Sequence, residues 1–125
     1  MRLLGIDYGE AKIGIARSDG VLAEPVKVIQ TQNWKGYLRG FCNNYVIEKI
    51  IVGIPRGKIA QKTKEFIEEL RHELKIPVEP WDETGTTNEA NQKLIEGGNM
   101  RTKRKKVEDA IAAAIILQSY IDSHS

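Results

Sequence analysis

The chain has one cysteine, Cys42, among 125 residues. No internal disulfide can form, and a structural zinc site is not expected. No apolar run reaches the roughly 20 residues of a membrane-spanning helix, so no membrane partner is expected. The N-terminus lacks the basic stretch and long apolar core of a secretory signal, and a cytoplasmic location is expected. Neither charge is in large excess: net charge is +2, with 29% of residues charged. Global charge therefore selects no partner. The two histidines, His72 and His124, fall on a polar helix face and in the tail. No Ser-His or Cys-His arrangement suggests a protein nucleophile. There is no internal repeat. The length predicts one domain over residues 1–125.

What is present is a series of short apolar runs separated by turns and amphipathic stretches. Residues 2–7 and 12–17 read as two strands of a hairpin, and 25–30 as a third, outer strand. Ser18-Asp19-Gly20 is a turn signal. Thr31-Gln32-Asn33 offers N-cap candidates for a helix with Trp34, Tyr37, Leu38, Phe41, Cys42 and Tyr45 at helical spacing, weakened by Gly36 and Gly40. Ile50 to Pro55 is uniformly apolar, as in a parallel strand covered on both faces. Thr63, Phe66, Ile67, Leu70 and Leu74 share one helical face. Residues 76–81 carry two prolines, which suit an edge strand. Thr86 to Glu89 resembles a capping box for a helix ending at Gly97-Gly98. The last helix, about 107–122, is apolar nearly all round and should be buried.

Three meandering strands followed by two right-handed crossovers give a five-stranded mixed α/β sheet of order 3-2-1-4-5, with helices on both faces. Strand one is central. Ligands of such sheets collect at the carboxyl ends of the strands. Asp7 ends strand one there, and Asp82-Glu83 follow strand five. Asp109 sits near the start of the last helix, where an anion is favoured.

Three converging carboxylates repel one another unless a cation intervenes. Mg²⁺ takes one or two carboxylates plus substrate phosphates. Two such ions about 3.5–4 Å apart hydrolyse phosphodiesters with no protein nucleophile. Taken singly, each acid has an ordinary structural explanation, as turn, cap or helix-start residue. Their shared position at one end of the sheet favours a metal site.

The stretch after residue 99 holds Arg101, Lys103, Arg104, Lys105 and Lys106 and leads directly to Asp109. Arg56 and Lys58 follow strand four on the same rim. Together they form a candidate phosphate clamp with salt-sensitive binding and no sequence readout; a plain solvated charge run is the alternative. Tyr8 and Trp81 could stack on bases or pack in the core. An exposed Trp34 or Trp81 would mark a homodimer interface.

At these residues the chain resembles the YqgF/RuvX family. The matching blocks are Gly5-Ile6-Asp7-Tyr8-Gly9 with Lys12 to Asp19, Val52-Gly53-Ile54-Pro55, Asp82-Glu83 with Thr86 to Ala90, and Asp109 to Ala113 with Ile116-Leu117-Gln118. The resemblance implies an RNase H-like fold and a nuclease dependent on Mg²⁺ or Mn²⁺. The family is described as a Holliday junction resolvase and as a nuclease maturing the 5′ end of the 16S ribosomal RNA precursor. The substrate would thus be an rRNA precursor or branched DNA. The implied catalytic acids are Asp7, Glu83 and Asp109, with Glu83 favoured over Asp82. Thr84 stands where the family has arginine. Glu10-Ala11-Lys12 replaces Thr-Lys-Arg and keeps one basic position, Lys12. Arg56-Gly57-Lys58 follows Pro55, where the family often has Asn and Gly. These departures touch substrate contacts and keep a non-catalytic nucleic-acid-binding module as an alternative. Gly-Ile-Asp-x-Gly also opens actin-like ATPases and sugar kinases, but those need a second such domain, and no second copy is present.

Overall fold

The computed structural model describes residues 1–82 and 108–124, with the backbone alone for Glu108 and Asp109. Three strands come first: β1 (Leu3–Asp7), β2 (Lys12–Ser18) and β3 (Ala23–Gln30). A 3₁₀ turn (Thr31–Asn33) leads into α1 (Trp34–Tyr45). β4 (Lys49–Ile54), α2 (Ile59–Leu74), β5 (Val78–Asp82) and α3 (Glu108–Ser123) complete the described elements. The sheet order is β3-β2-β1-β4-β5, as predicted. The first three strands are antiparallel; β4 runs parallel to β1, and β5 parallel to β4. The predicted helix up to Glu96 and the basic stretch after it lie outside the described residues.

Strand alternation distributes the apolar residues between two cores. Leu4, Ile6, Ile50 and Val52 pack with Leu38, Phe41, Phe66 and Leu70 of α1 and α2. Leu3, Ala16 and Ile51 pack on the opposite face with Ala113, Leu117 and Ile121 of α3. Both faces of β4 are therefore covered, which accounts for its unbroken apolar run. Gly36 and Gly40 are exposed on α1, and a Cβ at either would meet nothing within 4 Å. The buried stripe of that helix, Trp34, Leu38, Phe41 and Cys42, is untouched by them.

The strand ends differ in detail from the sequence expectation. β3 begins at Ala23, because a bulge opposite Ile15 and Ala16 absorbs Val26 and lets the ladder continue past Pro25. β5 runs from Val78 to Asp82. The Pro77 carbonyl accepts the Ile50 N–H at 2.9 Å, so the odd-numbered residues of β5 bond β4. Pro80 then turns its nitrogen to the open edge, where a missing N–H breaks no ladder bond. The helix cap expected from Thr31 to Asn33 is not made: Asn33, the residue before α1, forms no side-chain cap bond.

Candidate metal centre

Asp7 is the last residue of the central strand, at its carboxyl end. Alternation along β1 puts it on the side of Leu3 and Gly5, the side covered by α3. Its partner across the antiparallel pair is Gly14. On β4, Gly53 comes one step after the Ile6–Val52 pair. The strands on either side of Asp7 thus contribute no side chain beside it. A carboxylate flanked in this way could meet a metal ion and a substrate phosphate together.

Helix α3 brings its first turn to the same place. A Cβ built on Gly5 would stand 3.0 Å from the Ala113 carbonyl oxygen and 2.8 Å from the Leu117 Cβ, so the helix lies directly on β1. At the other end of α3, the Tyr120 hydroxyl accepts from Lys49 Nζ at 2.8 Å, and Lys49 is paired with Leu3 at the start of the strands. The helix therefore runs opposite to β1. Asp109 precedes Ala113 by four residues, about 6 Å of helix. Asp7 follows Gly5 by two residues, about 7 Å of strand. The start of α3 is level with Asp7.

Buried Gln118 fixes this placement. Its Oε1 accepts the Ala23 N–H at 2.7 Å, and its Nε2 donates to the Val21 carbonyl at 3.2 Å and to Asp122 Oδ1 at 3.0 Å. Both ends of a fully buried amide are satisfied, which ties the helix to the β2–β3 connection.

The register separates Asp82 from Asp7. Asp82 pairs with Ile54, which packs with the α1/α2 core. Trp81 instead packs with the α3 core. Asp7 and Asp82 consequently belong to opposite faces of the sheet. Glu83 and the Asp109 side chain lie outside the described residues. Among the described residues, no three His, Cys, Asp or Glu side chains cluster in a way that could hold a metal.

Three predicted basic positions stand on the same rim. Lys12 begins β2, two residues before the partner of Asp7, and is exposed. Arg56 and Lys58 are exposed just after β4, flanking Gly57 at φ +94°. Arg101, Lys103, Arg104, Lys105 and Lys106 lie outside the described residues. The two candidate stacking aromatics pack internally. Tyr8 stacks on Phe66, with centroids 4.5 Å apart. Burial raises its phenol above the ordinary value, and the Glu10 charge adds to that rise. Trp81 meets Tyr120 edge-on at 5.4 Å and donates to Ser119 Oγ at 3.1 Å. Trp34 is buried, which removes one of the two tryptophans offered as an interface.

Gly14 and Gly53 were not singled out as site residues from the sequence. The usable signal was a glycine inside an apolar strand, which marks a close approach.

A family model described as "RuvX: Holliday junction resolvase" matches residues 1–123. A Clostridium tetani protein named "Putative pre-16S rRNA nuclease" is 42% identical, with 98% of this chain and 97% of that protein covered. Among solved structures, the fowlpox virus Holliday junction resolvase superposes with a TM-score of 0.64 at 15% identity, over the whole of both chains. RuvC of T. thermophilus in complex with a Holliday junction substrate gives 0.60 at 16% identity, covering 98% of this chain and 96% of that one. At such identities the two structures show a shared fold, the RNase H-like one implied by the sequence. With residues 1–123 of its 125 matched by the family model, this chain belongs to the RuvX family.

Proposed function

We propose that the chain is a divalent-metal-dependent endonuclease that hydrolyses phosphodiester bonds of structured nucleic acid, acting in 5′-end maturation of the 16S ribosomal RNA precursor. The observation that carries this is the placement of Asp7: at the carboxyl end of the central strand, between two glycine positions, level with the start of α3. The substrate assignment leans on the name of the C. tetani relative.

In this account Asp7, Glu83 and Asp109 hold the metal, and the opposite facing of Asp82 is the reason Glu83 is preferred. Carboxylate oxygens are the hard ligands that Mg²⁺ and Mn²⁺ take. Two bound cations would supply an activated water and charge stabilisation for the leaving oxygen. The chain's own residues do the rest. The carboxylates fix where the cations sit, and Lys12, Arg56 and Lys58, with the basic stretch from Arg101 to Lys106, hold the phosphate backbone against them. The unit proposed is one domain spanning 1–125, in the cytoplasm, with a homodimer as the assembly to be tested by light scattering.

A second substrate, branched DNA, is favoured by the description of the family model. Both can be tried together. The protein is incubated with Mg²⁺ or Mn²⁺ and labelled precursor rRNA, single-stranded RNA or four-way junction DNA. Cleavage of the precursor is expected. Cleavage of the junction alone would transfer the assignment to recombination, and binding without cleavage of any substrate would mean a non-catalytic module.

A further inference from the structure

We infer that Thr31 is a positioning residue for the metal site, holding in place the turn that directly follows Asp7. This rests on the assignment of Asp7 as a ligand. Thr31 follows the last residue of β3, yet both of its donors reach across to the β1–β2 turn. Its Oγ1 donates to the Gly9 carbonyl at 2.7 Å. Its backbone N–H donates to the Ala11 carbonyl at 3.0 Å. Both acceptors lie in the short connection between Asp7, the proposed ligand, and Lys12, the nearest basic residue of the rim.

Other contacts hold the same turn less directly. The Glu10 and Lys62 side chains pair at 3.1 Å but are 60% and 56% exposed, and such pairs contribute little. Tyr8 is held by its ring against Phe66, which orients a side chain and leaves the carbonyls unconstrained. Thr31 bonds the backbone itself at two points. The turn is tight: a Cβ on Gly9 would stand 2.6 Å from the Lys12 carbonyl oxygen. A small rotation at Gly9 would therefore be passed on to its neighbours.

Among the described residues, the hydroxyl makes no other hydrogen bond. It does not cap α1, which starts three residues later. Valine has nearly the same shape and the same branched Cβ, so packing alone does not call for threonine. A metal ligand must be held within about 0.5 Å of its working position by the structure behind it.

The test compares Thr31→Val, which keeps the shape, with Thr31→Ser, which keeps the hydroxyl, in the full chain. Mn²⁺ affinity is read by calorimetry, and amide exchange is followed at residues 8–12. Thr31→Val should weaken Mn²⁺ binding about fivefold, less than the roughly 10–100-fold seen when a partner touching the ligand itself is lost, and should speed exchange in the turn. Thr31→Ser should restore both, and Thr31→Ala should match Thr31→Val. Wild-type Mn²⁺ affinity in Thr31→Val, or equal losses in Val and Ser, would overturn the role. Asp7→Asn separates the two levels of the claim. Unchanged Mn²⁺ binding in Asp7→Asn removes the metal site itself. Binding lost in Asp7→Asn but intact in Thr31→Val removes only the positioning role.

Discussion

Gly5 of β1 and Leu117 of α3 meet so closely that a Cβ on Gly5 would stand 2.8 Å from the Cβ of Leu117. The Ala113 carbonyl would be 3.0 Å away, and it belongs to the helix backbone. This contact sets how near the start of α3 comes to the end of β1. It is therefore a packing relationship with a consequence for the site.

Gly5→Ala should push α3 from the sheet. Overpacking of this kind costs about 1–3 kcal/mol, to be read from the denaturant midpoint. Mn²⁺ affinity should fall as well, because the helix carries Asp109. A variant as stable and as metal-competent as wild type would show that the helix does not need its present approach.

The opposite facing of Asp7 and Asp82 gives a sharp comparison. Glu83→Gln should lower cleavage by about 100-fold or more, beyond the roughly 10–100-fold expected when only a partner of a ligand is lost. Asp82→Asn should leave turnover close to wild type. Steady-state cleavage and Mn²⁺ titration of both variants check this, and the reverse pattern would make Asp82 the ligand.

Sheet order was readable from the chain because crossover handedness and strand count leave few arrangements, and Pro80 agrees with an edge. The facing of Asp82 was harder. It depends on where β5 starts, and Pro77 blurred that by bonding β4 through its carbonyl while lying outside the strand. Thr31 looked like a helix cap because its neighbours are Gln32 and Asn33. Its bond to Gly9 spans 22 residues and leaves no periodic trace. The Asp7 position was legible because a charged residue closing a buried strand requires a reason. The glycines beside it were less so, since only the register reveals which residues flank a given one.

Stability should fall in alkali. Burial raises the Cys42 thiol from 9.0 to about 11. Burial also raises Tyr8 and Tyr37, and the hydrogen bond to Glu79 raises Lys49. Each group keeps its proton in the folded chain at a pH where the unfolded chain releases it. For Cys42 the stabilisation is whole below pH about 9 and is lost progressively as pH rises toward about 11. Denaturation midpoints across this range should decline, and Cys42→Ala should flatten part of the decline. A midpoint that rises with pH would contradict the burial of these groups.

The basic stretch before α3 can be tested through salt. Replacing Lys105 and Lys106 together with alanine should weaken nucleic-acid binding and reduce the slope of log K against log salt by about 1.4–1.8. Fluorescence anisotropy at several salt concentrations measures it. An unchanged slope would remove these residues from the phosphate contacts.

The most direct test is cleavage by Asp7→Asn, which keeps the side-chain shape and removes the charge. With Mg²⁺ or Mn²⁺ present and the fold verified by circular dichroism, cleavage of the labelled precursor rRNA or junction DNA should be lost while binding to it persists. Cleavage that survives the change at wild-type rate would contradict the assignment of Asp7 as a metal ligand.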